Sequence, residues 1–146
     1  MKENSGNLEL LNYIYQNASM GFETIEYILD SDIDEDIVDE LKREKKTYER
    51  IGKDAQALLF AKGGEEKDNT VMQKVETYFA VKMSTLKDDK STHIAEMMIQ
   101  GNNMGIIDIT KNLTKYEGKI DKDVEGLANS LLQFQENSVQ ALKEYL

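Results

Sequence analysis

Residues 100–113 read QGNNMGIIDITKNL, and residues 16–29 read QNASMGFETIEYIL. Aligned, they pair Gln16 with Gln100, Met20 with Met104, Gly21 with Gly105, Ile25 with Ile109 and Leu29 with Leu113, always at the same offset. Matches spaced by one and four residues fall along one side of a helix, and self-similarity at a fixed period marks a duplicated supersecondary unit. The same offset lays the apolar stripe that follows the first segment over the one that follows the second. The repeated unit is therefore read as a helical hairpin, and the chain as two hairpins with a connection between them.

Outward from these segments, every apolar pattern has helical period. Leu8, Leu11, Tyr15, Ala18, Phe22, Ile25 and Leu29 alternate spacings of three and four, the pattern of an amphipathic helix. The acidic stretch DSDIDEDIVDE (30–40) follows, and Asp32 with Glu35 has the spacing of a helix-starting pair. Ile37, Leu41, Tyr48, Ile51, Ala55 and Leu58 form the second stripe, and the glycines of AKGG (61–64) end it. Thr70 and Gln73 open a third helix carrying Met72, Val75, Phe79, Met83 and Leu86. Because KDDKST has neither glycine nor proline, a single bent helix over Thr70–Tyr116 is the alternative. Ile94, Met98, Gly101, Gly105, Ile109, Leu113 and Tyr116 mark the fourth helix, and Gly118 its end. Ile120, Val124, Leu127, Leu131, Phe134, Ser138, Ala141 and Tyr145 mark the fifth.

The absence of proline from all 146 residues agrees with long uninterrupted helices, since proline removes an amide donor and breaks helix interiors. The expected fold is all-α: one domain over 1–146, with a hairpin at 7–62, a crossover helix at 70–88 and a hairpin at 91–146. This up-down arrangement of two hairpins resembles the ferritin-like four-helix bundle, in which a long crossover joins two hairpins related by a pseudo-two-fold axis. The resemblance implies that helices one and four cross near their middles, so that Met20-Gly21 and Met104-Gly105 meet there.

Composition excludes several functions. With 18 Lys+Arg against 28 Asp+Glu, the net charge of -10 opposes binding to nucleic acid or to an anionic membrane surface. The absence of cysteine removes disulfides, thiolate nucleophiles and Cys-ligated metals. No apolar leader opens MKENSGNLEL and no long apolar run follows, so a soluble, cytoplasmic protein is expected.

Di-iron chemistry of the ferritin-like kind needs two Glu-x-x-His motifs and two further glutamates facing inward. The chain has one histidine, and His93-x-x-Glu96 runs in the reverse order. Glu44 and Asp108 are the carboxylates nearest the expected seams. Glu44 is read as a rim residue with its stem packed and its head wet, and His93 as a surface or capping residue. No metal or other cofactor is therefore expected. Asp30-x-Asp32-x-Asp34 resembles the start of a calcium loop but has Glu35 where glycine is needed and Leu41 where a bidentate glutamate is needed. Gly63-Gly64 lacks the lysine and strand of a phosphate-binding loop.

Met97, Met98 and Met104, with Met20 in the other repeat, are read first as core filler and second as the lining of an apolar pocket. Gly101 and Gly105 form a small-x-x-x-small step that admits a close neighbour at about 1 kcal/mol of helix propensity each. The leading functional reading is a non-catalytic interaction or structural protein, with a protein partner or a second copy as a homodimer. A bundle with a single metal site at Glu44, His93 or Asp108, and a binder of a small apolar ligand, stand as alternatives.

Overall fold

The computed structural model describes residues 2–67 and 81–146. Four long helices carry the architecture: α1 (Lys2–Leu29), α2 (Val38–Ala61), α3 (Lys90–Lys115) and α4 (Lys122–Leu142). Short 3-10 turns at Glu35–Ile37 and Lys143–Tyr145 complete the main elements, and residues 81–85 are helical. No strand occurs among the described residues, and the helices pack into an all-α bundle. The expected cap at Thr70 and Gln73, and Met72, Val75 and Phe79, lie outside the described residues.

α1 packs most extensively on α2, and α3 on α4. Between these hairpins α4 seats against both α1 and α2, whereas α3 has only sparse contact with α1. The chain is not one helix across Thr70–Tyr116. It leaves helical geometry over 86–89, where Asp89 takes a left-handed φ of 52°, a conformation aspartate tolerates better than most residues.

α1 differs from a simple one-sided amphipathic helix. None of its residues from 10 to 22 is exposed. Phe22 lies under Lys45, whose Nζ is 5.2 Å from the ring centroid, and Ala18 faces Gly52, so the expected stripe faces α2. Leu10, Ile14 and Ile28, fully buried, form a second seam beside it. Two packed sides explain why the single stripe covers only part of the buried surface.

Polar residues close both ends of the bundle. At one end Asn7 Nδ2 donates to Asp121 Oδ2 (3.2 Å) while Asp121 N donates back to Asn7 Oδ1 (2.8 Å), and Lys62 Nζ donates to the same carboxylate at 2.8 Å. Gly63, at φ 79°, ends α2 as expected: Gly64 N–H donates to Leu59 O at 2.8 Å and Gly63 N–H to Phe60 O at 3.1 Å, a Schellman arrangement. At the other end the acidic loop is more than a solvated run. Ser91 Oγ donates to Asp36 Oδ1 (2.6 Å), and Lys90 Nζ to the Asp32 carbonyl (3.0 Å), so the loop ties down the start of α3. α2 accordingly begins at Val38, after a 3-10 turn, rather than at the Asp32–Glu35 pair.

Candidate functional site

Each helix places small or polar residues facing inward at one level. On α2, Glu40, Glu44 and Tyr48 are four apart and so share one side. Gln135 and Ser138 on α4, Asn102 and Gly105 on α3, and Tyr13, Asn17 and Gly21 on α1 repeat helical spacings of three or four. Glu44 is 0% exposed, Tyr48 3%, Asn102 4%, and Gln135 and Ser138 2% each. Buried polar groups must find partners among themselves, because an unpaired one costs about 1–3 kcal/mol.

They form one connected hydrogen-bond chain. Gln135 Nε2 donates to Asn17 Oδ1 (3.0 Å) and to Tyr48 Oη (3.4 Å). Tyr48 Oη donates to Asn102 Oδ1 (2.9 Å), and Asn102 Nδ2 to Ser138 Oγ (2.8 Å). Ser138 Oγ in turn donates to Glu44 Oε1. In the other direction Asn17 Nδ2 donates to Tyr13 Oη (3.3 Å), which donates to the Gly105 carbonyl at 3.5 Å. From Gln135 the donors run outward along two arms, and the longer arm ends on the Glu44 carboxyl.

The glycines of the repeat make room for this chain. A Cβ on Gly21 would sit 2.5 Å from Tyr48 Cζ, and one on Gly105 would sit 2.6 Å from Gln135 Oε1. The expected meeting of Met20-Gly21 with Met104-Gly105 is therefore corrected. Each glycine receives a side chain from the other helix of its own hairpin, and Met104 points outward at 62% exposure. The Tyr48 ring also meets Phe134 edge-on, with centroids 4.8 Å apart.

Glu44 corrects the rim reading. Its stem and head are both enclosed, and while Oε1 accepts from Ser138, Oε2 meets no donor. Burial, and next the hydrogen bond to the Glu40 carboxylate, push the Glu44 carboxyl up to about 9, against the opposing pull of Ser138 and Arg43. Partial burial also opposes ionisation of Glu40, but its hydrogen bonds with Glu44 and Arg43 prevail and hold it below the usual carboxylate range. At neutral pH Glu44 thus keeps its proton and Glu40 carries the charge, which turns the donorless oxygen into a donor. Burial also raises the Tyr48 hydroxyl and pushes Tyr13 up to about 12.

The other carboxylate and histidine candidates lie elsewhere. His93 is exposed at the start of α3, with Nδ1 3.6 Å from Glu96 Oε2. Asp108 is half-buried near Tyr13, whose proton its charge helps retain. Among the described residues no group of three or more His, Cys, Asp or Glu side chains is placed to hold a metal ion. The methionines do not gather around one interior space: Met98 is buried, Met97 and Met20 are half-buried, and Met104 is exposed. A groove of about 170 Å³ between α1 and α2, lined by Tyr15, Phe22, Glu49 and Gly52 among others, includes none of them. Gly101 is exposed, and among the described residues a Cβ there would meet nothing within 4 Å, so none of them uses its smallness.

No protein-family model, curated protein or solved structure matches this chain. The functional reading therefore rests on its own residues. Sequence reasoning placed Tyr48 and Ser138 on apolar stripes but missed Asn17, Asn102 and Gln135. The available signal was a polar residue at a core register position on several helices at once: Asn102 is four after Met98, and Gln135 four after Leu131.

Proposed function

We propose that this chain is a non-catalytic interaction protein that self-associates through the outward side of α3. The observation that carries the reading is an exposed, uncharged stripe over Gln100, Asn103, Met104, Ile107 and Thr110, in which Met104 is 62% and Ile107 50% exposed. These positions recur at helical spacing over about three turns. By contrast the exposed positions of α2 include Lys42, Arg43, Lys46, Glu49, Arg50, Lys53 and Asp54.

Charge favours a second copy as the occupant. A chain with net charge -10 repels itself wherever acids face acids, and this stripe presents none. An isologous contact pairs each residue with a different residue of the other copy, so Met104 of one can enter the open notch over Gly101 of the other, reciprocally. That contact gives the otherwise uncompensated Gly101 a use. The buried side chains of Tyr48, Asn102 and Ser138 are bonded within the bundle rather than to an open cleft, which supports a bundle that works through its surface. Among the described residues no helix is long and apolar enough to cross a membrane.

Sedimentation equilibrium on the intact chain tests the reading. A concentration-dependent dimer that is lost in the Met104→Glu, Ile107→Glu double variant, with helical content retained, is the expected result. A monomer at all concentrations up to millimolar, or a dimer indifferent to both substitutions, would overturn it.

A further inference from the structure

We propose that the Glu40–Glu44 carboxyl pair is a proton-held latch between the two hairpins, closed while one proton lies between the carboxyl groups and released when that proton leaves. The inference is independent of the α3 surface.

Three observations carry it. First, of the bonds by which the interior chain crosses between the hairpins, the one from Ser138 of α4 to Glu44 ends on an ionisable carboxyl, whereas those joining Gln135 to Asn17 and Tyr48, Tyr48 to Asn102 and Tyr13 to Gly105 do not. Second, its Oε2 has no donor, and the adjacent group is another carboxyl, so the pair is satisfied only with a proton between its members. Third, packing across the hairpins is sparser than within them, so one buried contact weighs more there.

The groups acting on Glu44 leave its ionised form uncompensated. From α2 come Glu40 and Arg43, with Tyr48 close below; Arg43 is already bonded to Glu40, and its side chain is 62% exposed. From α4 comes only the Ser138 hydroxyl, whose bond favours the anion but does not replace its water shell. Beyond α4, Tyr145 interacts with Glu40 and Arg43 and adds no positive charge. Asn102 of α3 reaches Glu44 through Ser138. When the proton leaves, two carboxylates share one poorly solvated corner. The accessible relief is water, reached along Glu40, whose side chain keeps 12% exposure, and admitting it separates α2 from α4.

Because the chain has no cysteine, spin-label pairs can be placed cleanly. Glu49→Cys on α2 with Glu136→Cys on α4 reports the distance between hairpins, and Glu49→Cys with Glu23→Cys on α1 reports the distance within one. All three positions are exposed. The α2–α4 distance distribution is expected to broaden and lengthen between pH 6 and pH 9.5, the α1–α2 distance to stay fixed, and Glu44→Gln to abolish the change. An α2–α4 distance that ignores pH, one that changes equally in Glu44→Gln, or one that changes together with the α1–α2 distance would overturn the proposal. Should Glu44→Gln fail to fold, the carboxyl carbon of Glu44 followed by NMR in the parent chain decides. Titration in the ordinary carboxylate range overturns the latch, and a midpoint several pH units higher supports it.

Discussion

Ser138 Oγ donates to Glu44 Oε1 across the boundary between the two hairpins, and both residues are almost wholly buried. The same hydroxyl accepts from Asn102 Nδ2 at 2.8 Å, so it joins α2, α3 and α4 at one atom. Ser138→Ala leaves an acceptor and a donor unpaired in the interior and should cost about 2–4 kcal/mol, roughly two unsatisfied groups. It should also move the Glu44 midpoint upward, because the Ser138 bond is one of the influences holding it down. Chemical denaturation measures the first effect and the Glu44 carboxyl carbon shift the second. A surface-like loss of a few tenths of a kcal/mol would contradict the geometry.

Tyr48→Phe separates packing from hydrogen bonding at the centre of the chain. The ring keeps its place over Gly21 and against Phe134, while the hydroxyl that donates to Asn102 at 2.9 Å and accepts from Gln135 at 3.4 Å is gone. A loss of about 1–2 kcal/mol with unchanged helical content is expected. Tyr48→Ala, which also empties the ring site, should cost roughly 3–5 kcal/mol by analogy with other aromatic truncations.

Period and punctuation made the bundle legible in the sequence, because apolar residues on a helix must recur every three to four positions to meet a neighbour. Ile25, Leu41, Ile51, Ile94, Ile109 and Leu131, expected on the stripes, are all at most 1% exposed. The interior polar chain was not legible in the same way. Asn17 reads as an ordinary surface residue until α4 brings Gln135, 118 positions away, to within 3.0 Å of it. Glu44 was misread for the same reason: a charged residue on an apolar stripe normally keeps its head in water, and only the other hairpin's Ser138, together with a retained proton, makes full burial tolerable. Met20-Gly21 and Met104-Gly105 were recognised as a pair. Their neighbours, Tyr48 and Gln135, are unlike residues at non-equivalent places in the two repeats, so the repeat alone could not name them.

The glycines divide by what surrounds them. Gly21→Ala drives a methyl into the Tyr48 ring at 2.5 Å, and the ring is itself held by Phe134 and Asn102, so it has little room to yield. Overpacking of about 1–3 kcal/mol should outweigh the roughly 1 kcal/mol gained in helix propensity. Gly105→Ala displaces the end of Gln135, a flexible group, and should cost less than Gly21→Ala while still loosening the bonds to Asn17 and Tyr48. Gly101→Ala and Gly126→Ala meet nothing within 4 Å and should each stabilise the fold by up to about 1 kcal/mol. Thermal melts of the four variants check the order. Gly101→Ala should at the same time weaken self-association, because it fills the notch that a second copy needs, and sedimentation separates that effect from monomer stability.

The pH profile follows from the two carboxyl groups with opposite signs. Glu44 is raised in the folded state from an ordinary 4.5 to about 9, so between those values the folded chain holds a proton that the unfolded chain has released. Its contribution is fully present below about pH 4.5 and declines as pH rises, by at most about 1.4 kcal/mol per pH unit, until the folded group titrates. Glu40 is lowered in the folded state, so its contribution is present above its unfolded value and is lost as pH falls through the folded one. Glu40→Gln removes the acid-side loss. It also takes away the hydrogen-bonding and charge effects through which Glu40 raises Glu44, so the Glu44 midpoint should fall, while burial, the larger cause, keeps it above the ordinary range. Denaturant midpoints measured from pH 4 to pH 10 on the parent chain, Glu40→Gln and Glu44→Gln should therefore show the parent losing stability from about pH 4.5 up to about 9 and the largest total loss of the three. The decline should begin at the same pH but end earlier in Glu40→Gln and be absent in Glu44→Gln, and three parallel profiles would show that the proton is not shared where the geometry puts it.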